Sequence, residues 1–105
     1  PPIGNLSILQ HLIASYKRDP LQFHVQRDIS KVLYLLAQDK LAKARASSEQ
    51  VEALQLLQSA HEYDPTNEHV RDDLVRIYEE LERRSEKLNN TQSAEKFRRL
   101  RLIII

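Results

Sequence analysis

Cysteine is missing from this 105-residue chain, glycine occurs once and proline four times. Without cysteine there can be no disulfide and no thiolate metal site, and redox compartment is not readable from that absence. Gly4 is the single glycine, so no glycine-rich loop is available to cradle a phosphate. Charge of one sign is also lacking. The formal net charge is +1, which commits the chain to neither nucleic acid nor an anionic membrane. No stretch approaches the ~20 apolar residues of a membrane helix. The apolar start is short and broken by His11, so no signal peptide is read there, and cytosol or nucleus is the default compartment. The sequons Asn5-Leu6-Ser7 and Asn89-Asn90-Thr91 are read as chance for the same reason.

What is present points to helix. Charged residues make up 30% and hydrophobic residues 41%, enough to bury a core in one unit spanning 1–105 and unlike a disordered composition. Leu, Ala, Gln, Glu, Lys and Arg are abundant. Val25, Ile29, Val32, Leu33, Leu36 and Ala37 fall on one helical face, as do Val70, Leu74, Ile77, Tyr78 and Leu81. No segment alternates as a strand would.

Five helices are expected. Asn5 caps the first, which runs to about Arg18. Asp19-Pro20 then punctuates, with the proline placed in the first turn of a second helix ending near Ala46. Ser47 and Gln50 have capping-box spacing and open a third helix ending near Tyr63. Asp64-Pro65 punctuates again, and a fourth helix reaches about Leu88. Asn89-Asn90-Thr91 makes the last turn, with Asn90 or Thr91 capping the fifth helix. The fold class is all-α, with short connections between antiparallel neighbours.

The chain also repeats itself. "DPLQFHVQRDISKV" from Asp19 returns as "DPTNEHVRDDLVRI" from Asp64. Leu9, Gln10 and Leu12 return as Leu54, Gln55 and Leu57, and Leu36 returns as Leu81. A period of about 45 residues holding two helices is the mark of an α-solenoid, in which each hairpin needs its neighbour to bury both faces.

Ala53, Leu57, Ala60 and Pro65, followed by Leu74 and Tyr78, give a small–large–small–proline series and then an aliphatic–tyrosine pair. In this the chain resembles the tetratricopeptide repeat. Ile8, Leu12, Ser15 and Pro20, then Ile29 and Leu33, form a poorer first copy. The resemblance covers roughly residues 5 to 100. Two features depart from it: a period longer than the family's usual ~34 residues, and bulky Val75 where the family has a small residue, although Ser30 serves in the first copy. The resemblance implies elongated hairpin helices and a groove that receives a partner peptide or helix, lined by the first helix of each repeat. The positions it assigns to that groove are His24, Arg27, Asp28 and Lys31 in one copy and His69, Asp72, Asp73 and Arg76 in the other.

Plainer readings stand beside these. His24 with Asp28, and His69 with Asp73, are neighbours at i, i+4, and each pair is more simply read as a local His–carboxylate contact on a solvated face. A metal site from two histidines and two carboxylates would need both repeats to converge, and none is expected. A clamp for terminal carboxylates is not expected either, because Asp28 and Asp73 would repel its ligand.

The run Lys96, Arg98, Arg99 and Arg101 is the densest basic cluster, with Lys40, Lys43 and Arg45 a looser one. A nucleic-acid groove needs cations interleaved with exposed aromatics. Tyr78 and Phe97 instead fall on apolar stripes, while Tyr16 and Tyr63 lie near helix ends, so a solvated helix end is the simpler account.

Phe97, Leu100 and Ile104 suit packing on the fourth helix, while Leu102, Ile103 and Ile105 exceed one stripe. The excess fits a chain cut where a next repeat would cover it, a self-association surface through Phe97, Leu100, Ile103 and Ile104, or the start of a membrane anchor.

No activated nucleophile and no cofactor motif is present, so the expectation is not an enzyme. The expected function is a protein-interaction scaffold. A structural spacer or self-association module, and a nucleic-acid-binding helical repeat, are the alternatives.

Overall fold

A computed structural model describes residues 2–43 and 47–104, with side chains described for 6–43 and 48–104. It is all-helical, with α1 (Pro2–Arg18), α2 (Phe23–Lys43), α3 (Ser47–Tyr63), α4 (Glu68–Lys87) and α5 (Thr91–Ile104). No strand occurs among the described residues. Two compact units divide the chain, Pro1–Val70 and Arg71–Ile105, with the boundary in the first turn of α4.

In the first unit α2 packs on both α1 and α3. A helix covered on two sides must bury more than one stripe, and α2 buries Val25, Ile29, Ser30, Val32, Leu33, Leu36 and Ala37. Facing it on α3 are Ala53, Leu57 and Ala60, all fully buried. The alanines flank one large side chain and let the two backbones approach. Between the two helices the Ser30 hydroxyl donates to the Ala60 carbonyl at 2.8 Å. Tyr16 of α1 meets Tyr63 of α3 edge-on, with ring centroids 5.4 Å apart.

The repeated sequence builds the same joint twice. After α1, the Asp19 amide donates to the Ser15 carbonyl, the Gln22 amide to the Asp19 carbonyl, and the Leu21 amide to Asp19 Oδ1. After α3, the Asp64 amide donates to the Ala60 carbonyl, the Asn67 amide to the Asp64 carbonyl, and the Thr66 amide to Asp64 Oδ1. Each aspartate closes an Asx turn over its own proline. Both prolines therefore sit in the turn, and α2 and α4 begin three residues later than a proline in the first helical position would place them.

Other boundaries shift as well. α1 begins at Pro2, so Asn5 lies inside the helix rather than at its cap. The expected helix at 44–46, the Ser47 side chain of the capping box, Arg45 and Ile105 lie outside the described residues. In the weaker first copy Ile8 is exposed, and Leu9 is the buried residue among the described side chains of α1. α1 has α2 on one side, and the stripe it buries is narrow enough that one position along the helix, roughly 100° of rotation, decides the matter.

In the second unit α4 ends in a Schellman turn. The Asn90 amide donates to the Ser85 carbonyl and the Asn89 amide to the Glu86 carbonyl, with Asn89 at φ 55°. Asn90 Oδ1 then accepts from the Ser93 amide at 3.1 Å and caps α5, as its place before Thr91 predicts. Tyr78 and Phe97 stack across α4 and α5, with centroids 6.5 Å apart. Buried Glu82 lies 3.4 Å from Arg101 and 3.7 Å from Arg98. Among the described residues no helix is long and apolar enough to cross a membrane.

Candidate functional site

Along the exposed side of α2, Arg27, Lys31, Tyr34 and Leu35 are spaced i, i+4, i+7 and i+8, which places them on one face. The α3–α4 joint stands opposite. Together with Asp64, Thr66, Asn67 and His69 they enclose a cleft of about 420 Å³, within the range of sites that hold a small group or a side chain.

The joint is held in register by a short polar chain. Asn67 Oδ1 accepts from the Val70 amide at 3.4 Å and so caps α4. The Asn67 side-chain amide donates to Ser30 Oγ at 3.2 Å, and the Ser30 hydroxyl donates in turn to the Ala60 carbonyl. One wall of the cleft is thereby tied to the other through a buried serine. Asp64 lines the cleft, but its Oδ1 already accepts from the Thr66 amide and hydroxyl. Arg27 and Lys31 form no ion pair among the described residues. The Tyr34 and His69 rings lie 6.0 Å apart at a 37° tilt, giving the cleft an aromatic floor beyond its cations.

Of the eight groove positions expected from the sequence, the structure brings Arg27, Lys31 and His69 into this cleft. His24 and Asp28 are exposed on α2 outside its lining, and no hydrogen bond or ion pair joins the two. Asp72, Asp73 and Arg76 lie in the second unit. There Asp73 is buried and pairs with Arg76 one turn on, while Asp72 is exposed. Tyr34, Leu35, Thr66 and Asn67 were not singled out from the sequence. Tyr34 and Leu35 continue the Arg27–Lys31 stripe, so that signal was present. The approach of the joint to α2 is a tertiary fact.

The basic cluster on α5 is largely neutralised. Arg98 and Arg101 face Glu82, Glu86 and Glu79 at 3.4–3.8 Å, and Arg99 pairs with Glu95 at 2.7 Å. Lys96 has no carboxylate partner among the described residues and lies 6.0 Å from the Phe97 ring centroid. In the first unit Lys40 bridges α2 to Glu52 of α3 at 2.9 Å. The hydrogen bond to Glu52, and then the charge of Glu52, raise the Lys40 ammonium above its ordinary value.

On the apolar side of α5, Leu100 and Ile104 are half-buried, whereas Leu102 and Ile103 are exposed. No group of three or more His, Asp or Glu side chains is placed to hold a metal ion among the described residues. No family model matches the sequence, and neither a curated protein nor a solved structure matches it.

Proposed function

We propose that this chain is a non-catalytic protein-interaction scaffold built on tetratricopeptide-like helical hairpins, and that it takes a partner peptide or helix in the cleft between α2 and the α3–α4 joint. One observation carries the reading. Two cations free of ion pairs, two rings and a half-exposed leucine converge on one concave surface from elements far apart in sequence. Such a surface is preformed, because the Asn67–Ser30–Ala60 chain ties its walls together, and a preformed surface lowers the ordering cost of binding. The repeated Asp-Pro joint and the full burial of Ala53, Leu57 and Ala60 support the hairpin-repeat part of the proposal.

The test is a quantitative pull-down from nuclease-treated lysate, comparing the native chain with an Arg27→Glu, Lys31→Glu double variant of unchanged helicity. Partners recovered by the native chain and lost by the variant are the expected result. Equal recoveries would remove the cleft from the account.

A second reading is favoured by Leu102 and Ile103, which are 61% and 79% exposed at the end of α5. In that reading the chain is a structural module that self-associates through α5. Nucleic acid is a weaker reading, since three of the four α5 cations are ion-paired.

A further inference from the structure

We infer that the cleft receives a phosphate monoester carried directly on an aromatic ring, in the form of a phosphotyrosine side chain of a partner protein. The inference rests on the cleft being a partner-peptide site, and adds the chemistry of the group that enters it.

Charge comes first. Arg27 and Lys31 stand one helical turn apart with no carboxylate partner among the described residues. The single carboxylate in the lining, Asp64, keeps its negative charge but lies beyond ion-pair distance of both cations, with Oδ1 held by Thr66. Asp28, whose charge argued from sequence against an anionic ligand, does not line the cleft. A lone carboxylate is matched by one cation. A group carrying about −1.5 to −2 charges is matched by two, and the guanidinium fork fits its oxygens in a bidentate way.

The carrier is set by what adjoins the cations. One turn past Lys31 come Tyr34 and half-exposed Leu35, with His69 across the cleft and its ring 6.0 Å from that of Tyr34. A phosphoserine would leave this wall wet, whereas a phenyl ring bonded directly to its phosphate covers it. A nucleobase carries polar edges that must be met. Asn67 and Thr66 are already engaged with Val70, Ser30 and Asp64, which leaves the Tyr34 hydroxyl and the His69 ring nitrogens as the other neutral polar groups of the lining. A ring without polar edges uses the faces of those two rings and makes no demand on their polar atoms.

The experiment is an amide-resolved NMR titration of the full chain with phenyl phosphate, with inorganic phosphate, phenylacetate and adenosine monophosphate as comparators. The expected result is saturable movement of the Arg27, Lys31, Tyr34, Thr66 and His69 amides, with phenyl phosphate binding about tenfold tighter than inorganic phosphate or phenylacetate. Arg27→Ala with Lys31→Ala is expected to weaken phenyl phosphate by about tenfold or more. Tyr34→Leu is expected to bring phenyl phosphate down toward inorganic phosphate, with Leu35→Ser as the second probe of the same wall should Tyr34→Leu lose helicity. Tighter binding of adenosine monophosphate would overturn the assignment in favour of a nucleotide. Equal binding of phenylacetate would overturn it in favour of an acidic peptide, and in that outcome a pull-down loss in the Arg27→Glu, Lys31→Glu variant would still stand. Absence of movement at these amides would overturn it outright.

Discussion

Ser30 shows how much a single hydroxyl can organise. It is fully buried, donates to Ala60 and accepts from Asn67, so removing it strands a carbonyl bond and a side-chain amide together. Ser30→Ala is expected to cost about 1–3 kcal/mol, the usual range for leaving a buried polar partner unsatisfied. Urea unfolding measures this as a lowered midpoint at constant slope. Exposed Ser7→Ala should stay within about 0.5 kcal/mol of native. A Ser30→Ala midpoint equal to that of Ser7→Ala would mean that the latch contributes nothing. Asn89 is the second such residue, held at φ 55°. Asn89→Gly should be neutral or slightly stabilising, while Asn89→Val should lose about 1–2 kcal/mol, because a β-branched side chain clashes in the left-handed region. Thermal denaturation of the pair checks the sign of the difference.

Among the elements, α2 is the one on which the first unit depends, and Leu57 of α3 is the large side chain buried against it between two alanines. Leu57→Ala is expected to cost about 2–5 kcal/mol, and Ala60→Leu about 1–3 kcal/mol by forcing α3 off the Ser30 contact. Exposed Ile8→Ala should be nearly silent, within about 0.5 kcal/mol. Comparable losses at Ile8 and Leu57 in chemical denaturation would contradict the burial pattern. The Lys40–Glu52 bridge joins the same two helices. Since the folded-state value of Lys40 is raised, its contribution is full below the ordinary lysine value of 10.5 and is lost only as pH rises through the folded value. The difference in melting temperature between native and Lys40→Met should therefore be flat around neutrality and close in strong alkali. Added salt should shrink it, because both side chains are exposed.

For the molecule as a whole, the two surfaces that offer themselves to partners make separable predictions. If the cleft on α2 is the working site, a Leu102→Lys, Ile103→Lys variant should keep the native sedimentation coefficient and the native set of captured partners. A change in sedimentation would move the function to the end of α5. Net charge contributes little at this scale. The formal value is +1, and the densest basic run is spent on carboxylates of its own unit, so the local unpaired charge of Arg27 and Lys31 outweighs the total.

Five helices and the joints after α1, α3 and α4 were legible in the residues, because a helix and its caps are decided within about one turn of chain. Asp-Pro, Asn89 and Asn90 each act on neighbours no more than five positions away. The doubling of the Asp-Pro segment announced a doubled joint for the same reason, and the structure contains it. Periodicity likewise located the buried face of α2, since 3.6 residues per turn are enough to say which side is apolar. It did not say what lies beyond a face. The choice of Leu9 over Ile8 depended on how α1 settles on α2. The meeting of Tyr34 with His69, and of Ser30 with Ala60, depended on how closely α3 settles on α2, which is set by the summed packing of small and large side chains along both helices. The cleft exists only because of that approach. The sequence determined the parts and their joints, and the tertiary structure alone decided which of the exposed cations would share a concave wall with two rings.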